Sequence, residues 1–182
     1  MKKTLLLAGL AGMVAANAEA INVTPYVGLD ANYGIVHGDA ATKGWLSSKD
    51  WSLSGILGAR TDHYGIEAFY NTGLEENKEE VSTRISGYGV DLLGYQQLGC
   101  SGRWELVGSA GLGYYTLKGK ANFGNGNSDS EKDHGYGERL GAGVQYALSE
   151  NTTVRAMYHH TWIHSSHLDG LDEFTVGIRY AF

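Results

Sequence analysis

Proline is almost missing: the 182 residues hold one. Proline brings no amide hydrogen to a sheet, so a chain nearly free of it can donate along almost its whole length, as a closed sheet demands. Cysteine is as scarce. Cys100 stands alone, which excludes an internal disulfide framework. It sits in a turn-like Gly99-Cys100-Ser101-Gly102 stretch; a lone thiol without a role is the plain reading, and a bridge between chains is the alternative. Basic residues are outnumbered, 14 against 20 acidic, for a net charge of −6. The basic patch that a nucleic-acid partner requires is therefore not expected. Long apolar runs are missing too. The uncharged run at residues 5–16 is too short for a membrane-spanning helix, which needs about 20 residues.

That run fits another use. Lys2 and Lys3 precede it, and Ala16-Asn17-Ala18 and Ala18-Glu19-Ala20 follow it as small-x-small cleavage sites. This is the pattern of a secretory signal peptide. We expect residues 1–20 to be removed, with cleavage after Ala18 as the alternative, leaving residues 21–182 as one domain. The loss of two lysines and one glutamate moves the net charge from −6 to −7. No cysteine follows the cleavage site, so lipoprotein processing is not expected. A buried N-terminal helix is the competing reading.

What the chain has is glycine (27), tyrosine (12) and alternation. In its last nine residues Phe174, Val176, Ile178, Tyr180 and Phe182 fall on one face, and Thr175, Gly177, Arg179 and Ala181 on the other. That is the period of a strand. An apolar face ending on aromatic residues suits a strand whose outside meets lipid and whose ends sit at the membrane interface. The mean hydropathy of −0.26 does not exclude a membrane location, because barrel strands are apolar only at alternate positions.

The same alternation recurs upstream. A first strand places Val23, Pro25, Val27, Leu29, Ala31 and Tyr33 outward, with Tyr26, Gly28, Asp30 and Asn32 inward. A second has Trp51, Leu53, Leu57 and Ala59 outward and Ser52, Ser54, Gly58 and Arg60 inward; Ile56 breaks its rule. A third has Tyr64, Ile66, Ala68 and Tyr70 outward, Glu67 and Asn71 inward. A fourth sets Tyr88, Val90 and Leu92 against Asp91. A fifth sets Trp104, Leu106, Ala110, Leu112 and Tyr114 against Glu105, Ser109, Gly111 and Gly113. A sixth sets Leu140, Ala142, Val144, Tyr146 and Leu148 against Arg139, Gly141, Gly143 and Gln145. A seventh sets Val154, Ala156, Tyr158 and Trp162 against Arg155 and Thr161, with His160 outside. The C-terminal segment is the eighth.

The connections alternate in length. Residues 60–64, 95–104 and 148–153 are short; residues 34–50, 71–84, 118–135 and 164–172 are longer and polar. Residues 73–80 are acidic, and residues 122–133 are rich in Asn, Gly, Ser and charge; both read as mobile, solvated surface. Short turns at one end and long loops at the other predict an all-β fold: an eight-stranded antiparallel up-and-down transmembrane β-barrel in the outer membrane, with turns and termini in the periplasm. The rival is a soluble β-sandwich, in which Trp45, Trp51, Trp104 and Trp162 would be core residues. In the barrel they are interfacial girdles.

The inward charges are Asp30, Glu67, Asp91 and Glu105 against Arg60, Arg139, Arg155 and Arg179. An unpaired charge in a narrow interior is costly, and eight strands enclose a space that their own side chains fill. A lumen plugged by a charge network is expected. A small gated pore is the alternative.

The runs Gly141-Ala142-Gly143-Val144-Gln145-Tyr146-Ala147-Leu148, Thr153-Val154-Arg155-Ala156-Met157-Tyr158 and Val176-Gly177-Ile178-Arg179-Tyr180-Ala181-Phe182 resemble the transmembrane domain of OmpA and the opacity-type surface antigens. The likeness covers most of the mature chain and is looser in the loops. It implies that Arg155 and Glu67 take part in a lumen network. It also implies that Val176, Ile178, Tyr180 and Phe182 form a C-terminal signal read by the barrel-insertion machinery. Gln145 stands where that pattern has an acidic residue, so Arg155 is expected to lose a partner. The chain ends at the barrel, so the family's periplasmic peptidoglycan-binding domain is not expected.

The histidines offer two further chemistries. His159, His160, His164 and His167 could bind a metal, but His159 and His160 point to opposite faces of a strand. His164-x-Ser166 with Glu173 is similar to the site of outer-membrane lipid A deacylases, but His167 replaces the usual Asn and Glu173 comes early. A polar loop tip is the plain reading of both. Asn151-Thr152-Thr153 matches a glycosylation sequon in an expected periplasmic turn and carries no weight. No catalytic, metal or cofactor site is expected. The expected function is a non-enzymatic surface or structural protein displaying four loops, for adhesion, antigen exposure or envelope integrity. The alternatives are the gated pore and a lipid-modifying hydrolase. Expected partners are outer-membrane lipid and lipopolysaccharide, the insertion machinery and an unidentified loop partner.

Overall fold

The two-residue periodicity commits eight segments to extended backbone. In the computed structural model they are β1 (Thr24–Gly38), β2 (Lys49–Arg60), β3 (Tyr64–Gly73), β4 (Val81–Leu98), β5 (Trp104–Phe123), β6 (Asn127–Ala147), β7 (Thr152–His164) and β8 (Leu168–Ala181). The structure describes residues 22–38, 49–73, 81–123, 127–164 and 168–182. The expected signal peptide, Trp45, the acidic stretch 74–80 and Ser165, Ser166 and His167 lie outside the described residues.

Each strand pairs antiparallel with the next, and β8 returns to β1 from Tyr26↔Ala181 upward, so the sheet closes. Closure leaves no strand edge unpaired, which lipid would penalise. The eight-stranded antiparallel barrel expected from the sequence is the fold found. The turns at one end are short for local reasons. Thr61 N donates to Tyr64 O at 2.7 Å between β2 and β3. Gly99 and Gly102 take φ of 73° and 64° between β4 and β5, the left-handed region that glycine enters without steric cost. Cys100 is exposed beside them.

Several expectations change. Strands run past the points where the apolar alternation stops. The largest change is at residues 118–135, read from sequence as mobile loop. There β5 and β6 stay paired from Lys118↔Lys132 to Phe123↔Asn127. Outside the membrane a hairpin needs no greasy face, and with no proline in it nothing interrupts the amide ladder. Ile56 turns inward, level in register with Gly28 and Phe69, and is buried. The lumen therefore has apolar layers that a polar-inward rule did not foresee. Tyr26, Val36, Ile56, Phe69, Tyr115, Ile163 and Leu171 form one cluster, and Leu93, Tyr95, Val107 and Met157 another. Ala59 has outward parity but is covered.

The outer face decides between barrel and sandwich. Leu29 is 69% exposed, Leu112 67% and Val176 58%. They belong to a continuous belt with Leu53, Leu57, Leu92, Leu106, Leu140 and Ile178, all exposed. Water would not tolerate such a belt on a monomer; hydrocarbon does. Aromatic pairs border it. Trp104–Tyr146 (4.8 Å between ring centroids) and Tyr180–Phe182 (5.6 Å) lie by the short turns. Tyr33–Trp51 (5.2 Å), Tyr88–Tyr114 (5.7 Å) and Tyr114–Tyr136 (5.2 Å) lie at the far end.

The glycines explain how large side chains fit inside eight strands. A Cβ on Gly28 would fall 2.5 Å from Arg179 Cδ, and one on Gly137 would fall 2.8 Å from the Tyr115 ring. Inward glycine on one strand is the space that arginine or tyrosine on another occupies.

Candidate functional site

The lumen is where the chemistry concentrates. All eight charged residues expected to face inward do so. Arg60 Nη1 and Nη2 donate to Glu105 at 3.0 and 2.9 Å. Gln145 donates from its amide nitrogen to Glu105, and its amide oxygen accepts from Arg155 Nε at 3.0 Å. Arg155 Nη1 donates to Glu67 at 2.6 Å. Glu67 also accepts from Tyr26 at 2.7 Å and from Arg179 Nε at 3.3 Å. Arg179 holds Asp30 through both terminal nitrogens. These contacts form one connected path through the half of the lumen nearer the short turns. Tyr95 caps it, with Arg60 stacked 4.0 Å from its ring.

Gln145 corrects an expectation. It was expected to cost Arg155 a partner. A carboxamide can donate and accept at once, so Gln145 bridges Glu105 to Arg155 where a carboxylate could only accept.

Arg139 and Asp91 lie further along, in a second group. Arg139 Nη1 is 3.4 Å from Asp91 Oδ2, and Nη2 is 3.7 Å from Glu173 Oε2. Asn71 donates to Glu173 at 3.0 Å, and Arg139 packs over Phe69 at 4.6 Å. In the sequence Glu173 is read only as the acid of a hydrolase site and is left out of the lumen set. Its signal was available: the parity of Thr175, Gly177 and Arg179, carried one step upstream, puts Glu173 inside.

That placement bears on the hydrolase reading. Glu173 is buried in the lumen, whereas His164 is exposed on the outside, so strand parity separates the two. Ser166 lies outside the described residues. His159 and His160 do not gather either. His159 is buried inside. His160 on the outer face pairs with Asp172 at 2.6 Å, and Asp172 also meets His37 at 2.6 Å and accepts from Tyr158 at 2.7 Å.

Val176, Ile178, Tyr180 and Phe182 all face outward and are exposed. Val176, Ile178 and Tyr180 form the lipid side of β8, which pairs with β1, and Phe182 follows its last residue.

A closed sheet with a lipid-facing belt, two aromatic girdles and a charge-filled interior defines a transmembrane β-barrel of the outer membrane. The comparisons agree. Residues 4–182 match the model of the outer membrane protein beta-barrel domain, and the chain belongs to that family. It is 26% identical over 156 residues to the 31 kDa outer-membrane immunogenic protein of Brucella melitensis, covering 73% of this chain and 62% of that one. The chain thus spans less than two thirds of the length of that curated relative. Among solved structures, Neisserial surface protein A superposes with a TM-score of 0.70 at 17% identity, over 87% of this chain and 97% of the other. Ail, the attachment invasion locus protein of Yersinia pestis, superposes with a TM-score of 0.57 at 17% identity, over 88% and 97%. At these identities the two structures speak for the fold.

Proposed function

We propose that this protein is a non-enzymatic surface barrel. Its lumen is sealed by the charge network, and its four outer connections are displayed to the surroundings. The observation that carries this reading is the β5–β6 hairpin, which stays paired well beyond the girdle tyrosines Tyr114 and Tyr136. A paired hairpin holds its tip at a fixed distance from the membrane, which suits presentation to a partner or an antibody. The names of the relatives point the same way: one is an immunogenic protein, another an attachment invasion locus protein. Ail has also been crystallised with a heparin analogue. The acidic run Glu75-Glu76-Asn77-Lys78-Glu79-Glu80 argues against such a polyanion for this chain, because like charges repel at contact.

On this reading residues 1–20 direct export. Val176, Ile178, Tyr180 and Phe182 present the surface by which the insertion machinery recognises the barrel, and the belt and girdles sit in lipid and lipopolysaccharide. Replacing residues 119–131 by Asn-Gly closes the hairpin on a two-residue turn and tests display. Cells carrying the trimmed barrel at equal membrane level should lose attachment to host cells or recognition by antiserum raised against the whole protein. If attachment, recognition and detergent resistance all equal those of the full chain, the display reading fails. Steady nanosiemens-scale openings in planar bilayers would put the small pore first. Loss of an acyl chain from lipid A that depends on Ser166 would put the hydrolase first.

A further inference from the structure

Three strands of the barrel continue together past the outer girdle. Beyond the register partners Tyr88, Tyr114 and Tyr136, β4, β5 and β6 stay paired from Ser86↔Thr116↔His134 to Val81↔Ala121↔Asp129. Side chains alternate between the two faces of such a sheet. The even-numbered positions continue the lipid-facing side of the barrel, as Tyr88 and Tyr136 do below them. The odd-numbered positions continue the lumen side.

Charge is sorted between these faces. Arg84, Lys118 and Lys132 are direct register partners on the lipid-side face, and Lys120 lies one step further out on it. The other even positions of this three-stranded extension hold only Ser, Thr, Asn and His. Its acids, Asp129, Glu131 and Asp133, all fall on the opposite face. Like charges set directly opposite on neighbouring strands are destabilising. Here three cations share one rung, in a chain whose net charge is −6. No acid among the described residues of these strands shares their face, so a counter-charge for the rung has to come from outside the sheet.

The height of the rung says what supplies it. Arg84, Lys118 and Lys132 each lie four residues beyond the girdle tyrosine of their own strand. Four residues at about 3.4 Å each, on strands tilted by about 40°, rise about 10 Å. Tyrosine girdles sit at the headgroup level. The rung therefore stands at the top of the headgroup layer, a difference that long basic stems bridge. It also lies on the side of the wall that meets lipid, which favours a lipid over a polyanion arriving from solution. On the reading that the β5–β6 hairpin stands on the outer side, we infer that Arg84, Lys118 and Lys132 form a binding site for the phosphates of lipid A. Arginine takes a phosphate through two parallel hydrogen bonds, and lysine meets it as a point charge. The bound lipid neutralises the rung and steadies the base of the hairpin against the membrane.

The test uses the whole protein folded in a zwitterionic detergent and titrated with lipid A or with dephosphorylated lipid A. Binding is read as the fraction of barrels that carry the lipid in native mass spectra. Lipid A should bind, and the dephosphorylated form should not. Arg84→Gln, Lys118→Gln and Lys132→Gln should each weaken binding about fivefold, and the triple variant on the order of a hundredfold. These substitutions relieve repulsion, so the urea midpoint without lipid should hold or rise, whereas a merely structural role would lower it. Asp133→Asn shifts the net charge by one unit on the opposite face and should leave binding unchanged. Equal binding of the two lipids, or parent affinity in the triple variant, would overturn the site. So would Asp133→Asn tightening binding as much as Lys132→Gln loosens it, because net charge alone would then be responsible. A soluble sulfated glycan that binds the parent while lipid A does not would overturn it in favour of a partner in solution. Labelling of the hairpin on intact cells reads its display separately, so a periplasmic hairpin and a rung without affinity for lipid A are told apart.

Discussion

Glu67 and Arg155 offer the sharpest test of how the barrel is held together. Arg155 is 4% exposed and Glu67 4%, and they meet at 2.6 Å across the lumen from strands far apart in sequence. Removing one member of a buried pair typically costs about 3–5 kcal/mol, because the other is left as an uncompensated charge. Two features place this pair at the lower end. After Glu67→Ala, Arg179 keeps its two bonds to Asp30, so only Arg155 is stranded. After Arg155→Ala, Glu67 keeps Tyr26 and Arg179. Each single substitution should therefore cost about 3 kcal/mol, or about 1.5 M in urea midpoint for a slope near 2 kcal/mol per molar. Removing both strands neither charge, so the double variant should lose about 4 kcal/mol, a coupling near 2 kcal/mol. The measurement is a double-mutant cycle on detergent-folded protein. Additivity within about 0.5 kcal/mol would mean that the two residues do not communicate, and the connected network would be wrong at its centre.

Two other outcomes follow from the same structure. Gly177→Ala would bring a Cβ against the Asp30 carboxylate and to 2.5 Å from the Leu29 carbonyl oxygen, whereas a Cβ at Gly55 meets nothing within 4 Å. Gly177→Ala should thus destabilise by about 1–3 kcal/mol as an overpacked site, and Gly55→Ala should stay within about 0.5 kcal/mol, both read as urea midpoints; equal effects would refute the glycine-for-side-chain account of the lumen. Phe182→Ser should lower the amount of heat-modifiable barrel in the outer-membrane fraction, measured by immunoblot of unheated and boiled samples, and an unchanged amount would remove the terminal aromatic from the assembly signal.

What could be read from the chain followed from one constraint. Inside the membrane, each strand has one face in lipid and one in the lumen, so parity alone gives the side of every residue. That is why Asp30, Arg60, Glu67, Asp91, Glu105, Arg139, Arg155 and Arg179 could all be placed inward before any geometry was known. Parity fails in two situations. Beyond the girdles no lipid enforces the alternation, so residues 118–123 and 127–135 carried no visible strand pattern, although their backbone pairs as regularly as the rest. Within the lumen, parity gives the side but not the partner. Ile56 looked like an error because polar inward residues were assumed throughout, yet its neighbours in register are Gly28 and Phe69, and that layer is apolar.

Partner choice depends on height along the barrel, which shifts from strand to strand as a tilted sheet closes. Arg155 meets Glu67 though three strands lie between them on either side, while Glu67 and Asp91, which are direct register partners, repel. A list of inward charges therefore reads as four acids against four bases and looks balanced. The balance breaks once Glu173 is placed on β8, level with His159 in register. The charges near the short turns are then fully matched by direct hydrogen bonds, and those near the outer mouth are not. A surplus of one sign at one height is a property of the closed barrel that no single strand contains. It makes Glu173, a residue that sequence reasoning named only as the acid of a hydrolase site, the one whose neutralisation should leave the barrel no less stable while Glu67→Ala weakens it.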